Sequence, residues 1–158
     1  MKTIVIEDRA RLEEIIRACK TCSVGLVDLE GNPYVVPMNF GYLDGVFYLH
    51  SGPEGGKLEM LARNSRVCIL LVRGDELVYQ SARMACSYSM RSESVMCRGN
   101  VEFVDDMDEK RRALDIIMQH YTDNECGYSE PAVRHVRVWK VRAEQLSGKA
   151  FGLRASEV

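Results

Sequence analysis

No stretch of the 158-residue chain approaches the ~18 consecutive apolar residues of a membrane-spanning helix. The N-terminus, Met1-Lys2-Thr3-Ile4-Val5-Ile6-Glu7-Asp8, meets acidic side chains before it can build the apolar region of a signal peptide. A cytoplasmic protein with no membrane partner is expected. Blocks of five or more like charges are also missing, and the formal charge is only -2. That leaves no electrostatic footprint for nucleic acid or an anionic lipid surface. Histidine is scarce, and Cys19-Lys20-Thr21-Cys22 has neither the second cysteine pair nor the nearby histidine of a zinc site, so no metal is expected. The Gly-x4-Gly-Lys-Ser/Thr spacing of nucleotide hydrolases is absent because Leu58 follows Lys57. No order of Ser, His and Asp suggests a hydrolytic triad.

What the chain does have is enough apolar content, 46%, for one domain with a real core. Its six cysteines are therefore not needed as disulfides and read as reduced, mostly structural thiols. Asp8 is placed to cap a helix over about residues 8–20, with Leu12, Ile15, Ile16 and Cys19 on one side. Three apolar runs follow, "CSVGLVDL", "YVVPMNFGY" and "VFYLH", divided by Gly/Asn/Asp/Pro turns, which is the pattern of an antiparallel meander. The middle run is expected to be one strand with Tyr34, Val36, Met38, Phe40 and Tyr42 on a core face and Val35, Pro37, Asn39 and Gly41 on the other. Pro37 has no amide for a central ladder, so that strand should lie open to a ligand or a second subunit.

Further on, "KLEMLARN" predicts a short helix and "RVCILLVR" a central strand buried on both faces. "ELVYQSARMACSYSM" and "SESVMCRGNVEFV" read as two strand regions joined by a polar link. Asp106-x-x-Glu109 resembles a capping box opening a helix with Leu114, Ile117, Met118 and Tyr121 inward. The last regular element is expected in "AVRHVRVWKVRA", whose apolar residues on both faces suit a strand at a subunit contact; the tail "FGLRASEV" shows no clear structure. The sum is about six or seven antiparallel strands with two or three helices, a small barrel decorated by helices.

The stretch "HSGPEGGKLEM" carries the chemistry. A glycine-rich turn running into a helix start offers exposed amides and a positive dipole end; Lys57 adds a charge and Ser51 a hydroxyl. It reads either as a cradle for a phosphate monoester over residues 50–57 or as a plain turn with a solvated lysine. His50, ending the strand beside it, is open between ligand donor, proton carrier and surface histidine, while His120 and His135 are isolated and read as structural.

The run Val36-Pro37-Met38-Asn39-Phe40-Gly41-Tyr42, then Phe47-Tyr48-Leu49-His50-Ser51, then Glu54-Gly55-Gly56-Lys57 resembles the signature of the pyridoxamine 5'-phosphate oxidase-related flavin-binding split barrels. It is nearest to the subgroup of Nim nitroimidazole-resistance proteins. Ser94-Val95-Met96, Gly99, Val101-Glu102-Phe103-Val104, "EKRRALDIIMQHY" and "VRAEQLSGK" are similar to the same subgroup, so the likeness spans about residues 3–150. The resemblance implies a mainly β fold, a six-stranded antiparallel split barrel with flanking helices, as one domain over residues 1–150 with a tail over 151–158. It implies a homodimer with FMN at the subunit interface: Val36, Pro37, Met38 and Asn39 along the isoalloxazine, Ser51, Gly56 and Lys57 on the ribityl phosphate, and His50 near the flavin as a proton donor. Ser94 would contact the cofactor, and Trp139 would wall the site from the other subunit. The implied activity is an oxidoreductase passing electrons from a nicotinamide donor to a small acceptor, a nitroaromatic among the candidates.

Alternatives inside the fold are a deazaflavin cofactor, or haem with His50 or His135 as iron ligand; a flavin protein without turnover is the rival outside enzymology. Many members carry Tyr-Arg-Ser-Val where this chain has Ser92-Glu93-Ser94-Val95, placing an acid beside the expected flavin edge. The arginine-rich C-terminal substrate motif of vitamin B6 oxidases is not evident, which argues against that substrate.

Overall fold

The computed structural model describes residues 3–152. In chain order the elements are β1 (Ile4–Ile6), α1 (Arg9–Ala18), β2 (Cys22–Val27), β3 (Pro33–Met38), β4 (Gly41–Leu43), β5 (Val46–Ser51) and α2 (Gly56–Arg63). Then come β6 (Arg66–Tyr79), a 3-10 turn (Ala85–Ser87), β7 (Tyr88–Val104), α3 (Met107–Gln119), α4 (Glu130–His135), β8 (Arg137–Arg142) and β9 (Gln145–Phe151). Local chemistry fixes the helix starts. Asp8 accepts from the Ala10 and Arg11 amides to open α1, and Asp106 accepts from the Glu109 amide to open α3. The second half of a capping box is missing, because the Glu109 carboxylate binds Lys140 Nζ at 2.9 Å instead.

All strand pairs are antiparallel, in the order β3-β2-β6-β7-β8-β5-β4, with β9 pairing β7 and β1 pairing β9. The long β7 serves two sheets. Its first part, Ser92–Arg98, lies between β6 and β9, and its last part, Val101–Val104, pairs with β8. Between them sits Gly99, where a Cβ would lie 2.4 Å from the Arg142 carbonyl oxygen, so only glycine lets the β8–β9 turn pass over the pivot. This is the split-barrel fold. Its core gathers Ile15 and Ile16 of α1, Phe40, Phe47 and Leu49, Ile69 and Leu71, Val95, and Trp139, all fully enclosed. A smaller cluster, Val104, Ala113 and Val138, lies beneath α3.

The expected class holds, but among the described residues six strands become nine and two or three helices become four. The run 132–143 is not one strand: Ser129 caps α4 by accepting from the Ala132 amide, Pro131 sits in its first turn, and β8 begins only at Arg137. The apolar residues on both faces of β8 are met within the protomer, Val138 by α3 and Trp139 with Val141 by the barrel, so that pattern is no evidence of a subunit contact. The expected single strand over 34–42 breaks at Asn39-Phe40 into β3, which pairs β2, and β4, which pairs β5. "RVCILLVR" is buried on one face only: Leu70 is 41% and Val72 55% exposed. β7 runs unbroken through residues 90–92, and the link after β6 lies at residues 80–87. β9 passes the expected boundary at residue 150 to end at Phe151; residues 153–158 of the tail lie outside those described.

Candidate functional site

Alternation along β2, β3, β6, β7 and β9 sends one set of side chains into the barrel and leaves the other on an outer face. Cross-strand register assembles that outer face in rows. One row runs Pro37, Ser23, Leu70, Met96; the next runs Val72, Ser94, Lys149, Val5. Pro37 and Ser94, singled out far apart in sequence, therefore lie on one surface, with Leu70 and Val72 between them. Among the described residues β3 has no partner on its far side, which is where a proline is tolerated. Of the Val36–Asn39 run, Val36 and Met38 turn into the core, so only Pro37 and Asn39 present side chains outward. Asn39 falls in the break between β3 and β4, outside either ladder.

Beyond a bulge between Arg73 and Glu76, the β6–β7 hairpin projects as an arm. Its exposed residues include Leu77 opposite Met90 and Tyr79 stacked on Tyr88 at a ring separation of 4.8 Å.

Glu93 departs from what the sequence suggests. Its side chain points opposite to that of Ser94, is only 7% exposed, and is held by two arginines from different elements. Oε1 accepts from Arg11 Nε and Nη2 at 3.1 and 2.7 Å, and Oε2 accepts from Arg73 Nε at 2.7 Å with Nη2 2.6 Å away. Both arginines also reach Glu14, whose carboxyl they hold below its ordinary pKa, Arg11 most strongly. The acid thus fastens α1 to β6 and β7, on the side of the sheet away from Ser94.

At the other end of the expected site, β5 delivers His50 and Ser51. Ser51 Oγ donates to the Gly52 carbonyl at 3.1 Å and accepts from Trp139 Nε1 at 3.3 Å. Trp139 is fully buried, so it does not wall a site from another subunit; it orients the Ser51 hydroxyl from beneath. His50 lies at the surface, yet the atoms crowding its ring strip enough solvent to push its pKa below the ordinary 6.5. The shift favours the neutral imidazole, which can donate a hydrogen bond through one ring nitrogen and accept one through the other.

The loop then turns at Gly55, whose φ of 129° only glycine adopts without strain, and enters α2 with no side-chain cap. Leu61 buries the helix against the barrel, so the amides of Gly56 and Lys57 are presented from a fixed support. Open space at the Gly55 Cβ position, uncapped amides, a lysine in the first turn and an adjacent hydroxyl together fit a phosphate monoester.

Tyr121, expected inward on the third helix, has a role that its sequence does not show. Tyr121, just past α3, donates its hydroxyl to the Lys20 carbonyl at 2.8 Å and accepts from the Phe40 amide at 3.0 Å. His120 bonds the Cys19 carbonyl through Nε2 at 2.6 Å and packs its ring on Phe40 at 4.4 Å, which agrees with its structural reading. The two residues tie the α1–β2 turn to the strand break that presents Asn39. Nothing local in the sequence announces this, because each partner is about 80 to 100 residues away. His135 sits exposed at the end of α4, on a different element from His50. Cys19 and Cys22 are both buried, and burial pushes the Cys22 thiol up to about 12.

A family model described as pyridoxamine 5'-phosphate oxidase matches residues 8–150. The chain belongs to that family. Among solved structures of this oxidase family's fold, a candidate 5-nitroimidazole antibiotic resistance protein from Bacteroides thetaiotaomicron is 65% identical, with a TM-score of 0.88 over 95% of this chain and 88% of that one. A protein from Mycobacterium smegmatis described as binding FAD and haem superposes with a TM-score of 0.84 at 20% identity, covering 97% of this chain and 77% of its own. A flavocytochrome from Azotobacter vinelandii gives 0.81 at 21%, covering 92% and 68%. At such identities the last two speak for the fold alone. No curated protein sequence matches the chain. Among the described residues no helix is long and apolar enough to cross a membrane.

Proposed function

We propose that the protein is a homodimeric, cytoplasmic flavoprotein that holds FMN at the subunit boundary and passes electrons from a nicotinamide donor to a small acceptor, with nitroaromatics the first class to try. The observation that carries this reading is the uncapped α2 start, with Gly55, Gly56, Lys57 and Ser51 composed as a phosphate cradle, in a protomer whose outer face joins Pro37 and Ser94 through exposed Leu70 and Val72. The 65% identity to the Bacteroides protein supports the acceptor class. FMN, when bound, supplies the two-electron chemistry. The residues of the chain bind and orient: Lys57 and the α2 amides take the phosphate, Ser51 rotates from Gly52 to donate to it, and Asn39 and Ser94 offer hydrogen bonds to the ring edge. His50, with its neutral form favoured, offers an N–H hydrogen bond toward the flavin and keeps its proton. The apolar outer face, paired with that of a second subunit, excludes water.

The test is the absorption spectrum of the purified protein, mass identification of the released chromophore, and anaerobic reduction by NADH or NADPH. Flavin bleaching by either donor supports the reading. A Soret band replaces it with haem, and a bound flavin that neither donor reduces removes the reductase. Lys57→Ala should weaken FMN binding about tenfold or more, the scale of one charge-assisted phosphate contact; unchanged affinity removes the cradle.

A further inference from the structure

The outer face of the sheet has a second end, away from Ser94. Val67 and Ile69 of β6 and Val95 and Cys97 of β7 turn into the core, so Arg66, Cys68 and Arg98 face outward there. With Gly25 of β2 and Glu144 of the β8–β9 turn they line a cleft of about 440 Å³, within the roughly 300–1,000 Å³ range of small-molecule sites. Its floor is bare backbone. A Cβ on Gly25 would come no closer than 3.4 Å to any residue outside its chain neighbours, whereas one on Gly99 would lie 2.4 Å from the Arg142 carbonyl oxygen. Packing demands Gly99 but not Gly25, and a glycine inside a strand that packing does not demand marks a place left open for a close approach.

The charges around that floor are unbalanced. Across β6 and β7 Cys68 pairs Arg98 and Arg66 pairs Asn100, so the two arginines are diagonal neighbours of like charge. Among the described residues neither guanidinium has a hydrogen bond or an ion pair. Cations beside α4 are engaged by contrast: buried Lys110 donates to the carbonyls of Val133, Arg134 and Val136 at 3.4, 3.4 and 2.9 Å, and Arg137 to Asp105 at 3.2 Å. Glu144, the one acid on the cleft lining, is turned to a different partner. Its Oε1 accepts from Asn100 Nδ2 at 2.8 Å, and Asn100 Oδ1 accepts in turn from the Ser65 hydroxyl at 3.2 Å. The Glu144 amide donates to the Arg98 carbonyl at 3.1 Å, which fixes this residue at the rim. Among the described residues its Oε2 has no partner.

Two guanidiniums and one carboxylate are the complement of a molecule with two carboxylates and one ammonium group. We propose that the cleft binds a free acidic amino acid of the aspartate or glutamate kind. Arg66 and Arg98 each take a carboxylate, Glu144 Oε2 accepts from the ammonium, and the methylene chain lies over Gly25 beside Val27 and Pro33. The cleft is separate from the phosphate cradle of β5 and α2 and does not depend on the flavin reading.

The experiment is calorimetry of the full chain, as purified, with L-glutamate, L-aspartate, glutarate and sulfate, for the wild type, Gly25→Val, Arg98→Gln and Glu144→Gln. Melting curves check that the variants fold. Half-buried Cys68 reports on position: peptide mass mapping after iodoacetamide shows whether a ligand covers it. One of the two amino acids should bind and slow the labelling of Cys68 but not of exposed Cys126. Arg98→Gln should weaken it about tenfold, the scale of one charge-assisted contact, and Glu144→Gln should do the same while binding glutarate, which has no ammonium, no more weakly than the wild type. Wild-type protein that binds glutarate or sulfate as tightly as the amino acid overturns the assignment in favour of a general anion site. No binding of either amino acid at millimolar concentration removes the site. Binding that leaves Cys68 labelling unchanged and is indifferent to Gly25→Val lies elsewhere and overturns the proposal as well.

Discussion

Glu93 shows how a single side chain can be placed correctly in a sequence motif and still be assigned to the wrong surface. Adjacent to Ser94, it faces the opposite side of β7, where its charge is matched by Arg11 and Arg73. A carboxylate this enclosed is costly to leave half-partnered, and removing it leaves Arg11 and Arg73 to share the exposed Glu14 carboxylate between them. Glu93→Gln should lower unfolding free energy by about 3 kcal/mol in denaturant titration, with the spectrum of any bound flavin unchanged, because the acid does not share the Ser94 surface. His50 makes a second residue-scale prediction. Its folded pKa is lowered, so the neutral form is favoured by folding. The stability it contributes is complete above its ordinary value of 6.5 and is lost as pH falls through the lower folded value. The stability difference between wild type and His50→Gln should therefore be flat above pH 6.5 and narrow or invert below it, and a proton NMR titration should place the His50 midpoint under 6.5. A difference constant across that window contradicts the assignment.

Among the elements, the brace at the end of α3 is the least obvious and the most exposed to test. Tyr121→Phe leaves the ring in place but orphans the Phe40 amide, which should cost about 1–2 kcal/mol of stability in a denaturant titration. If Asn39 touches the cofactor, the same change should shift flavin affinity more than Lys110→Met does at equal loss of stability. The elements legible from sequence were those whose causes are local. Asp8 and Asp106 announce α1 and α3, the Gly/Asn/Asp turns announce the meander, and the Gly-Gly-Lys run announces the α2 start. Those missed are set by distant neighbours. β9 alternates as a strand should, but of its inward residues Leu146, Gly148 and Ala150 only the first is a large apolar side chain, Gly148 being small where Leu12 of α1 lies over it, so little apolar signal is left to read. α4 hides in an apolar run that continues into β8. The site shows the same division: Ser51 and Lys57 were legible from residue type, whereas the grip of Trp139 on Ser51 spans 88 residues and the Glu93–Arg11 pair spans 82.

For the whole molecule, the unbalanced feature is the outer face with its arm. Leu70, Val72, Leu77, Tyr79, Met84 and Met90 are each more than 40% exposed, a contiguity a lone soluble protomer seldom carries. A dimer burying this face should be disrupted by Leu70→Asp, which alters no core contact. Sedimentation should then show a monomer that melts like the parent at low concentration and has lost flavin. A parent that is monomeric at micromolar concentration with cofactor bound contradicts the proposal. The sharing of β7 between two sheets has a further consequence. With that strand common to both, neither half of the barrel keeps its edges satisfied if the other opens. Amide protons on β7 on both sides of Gly99 should therefore exchange with deuterium only through global unfolding, at one common rate, while the arm beyond the bulge exchanges independently and early.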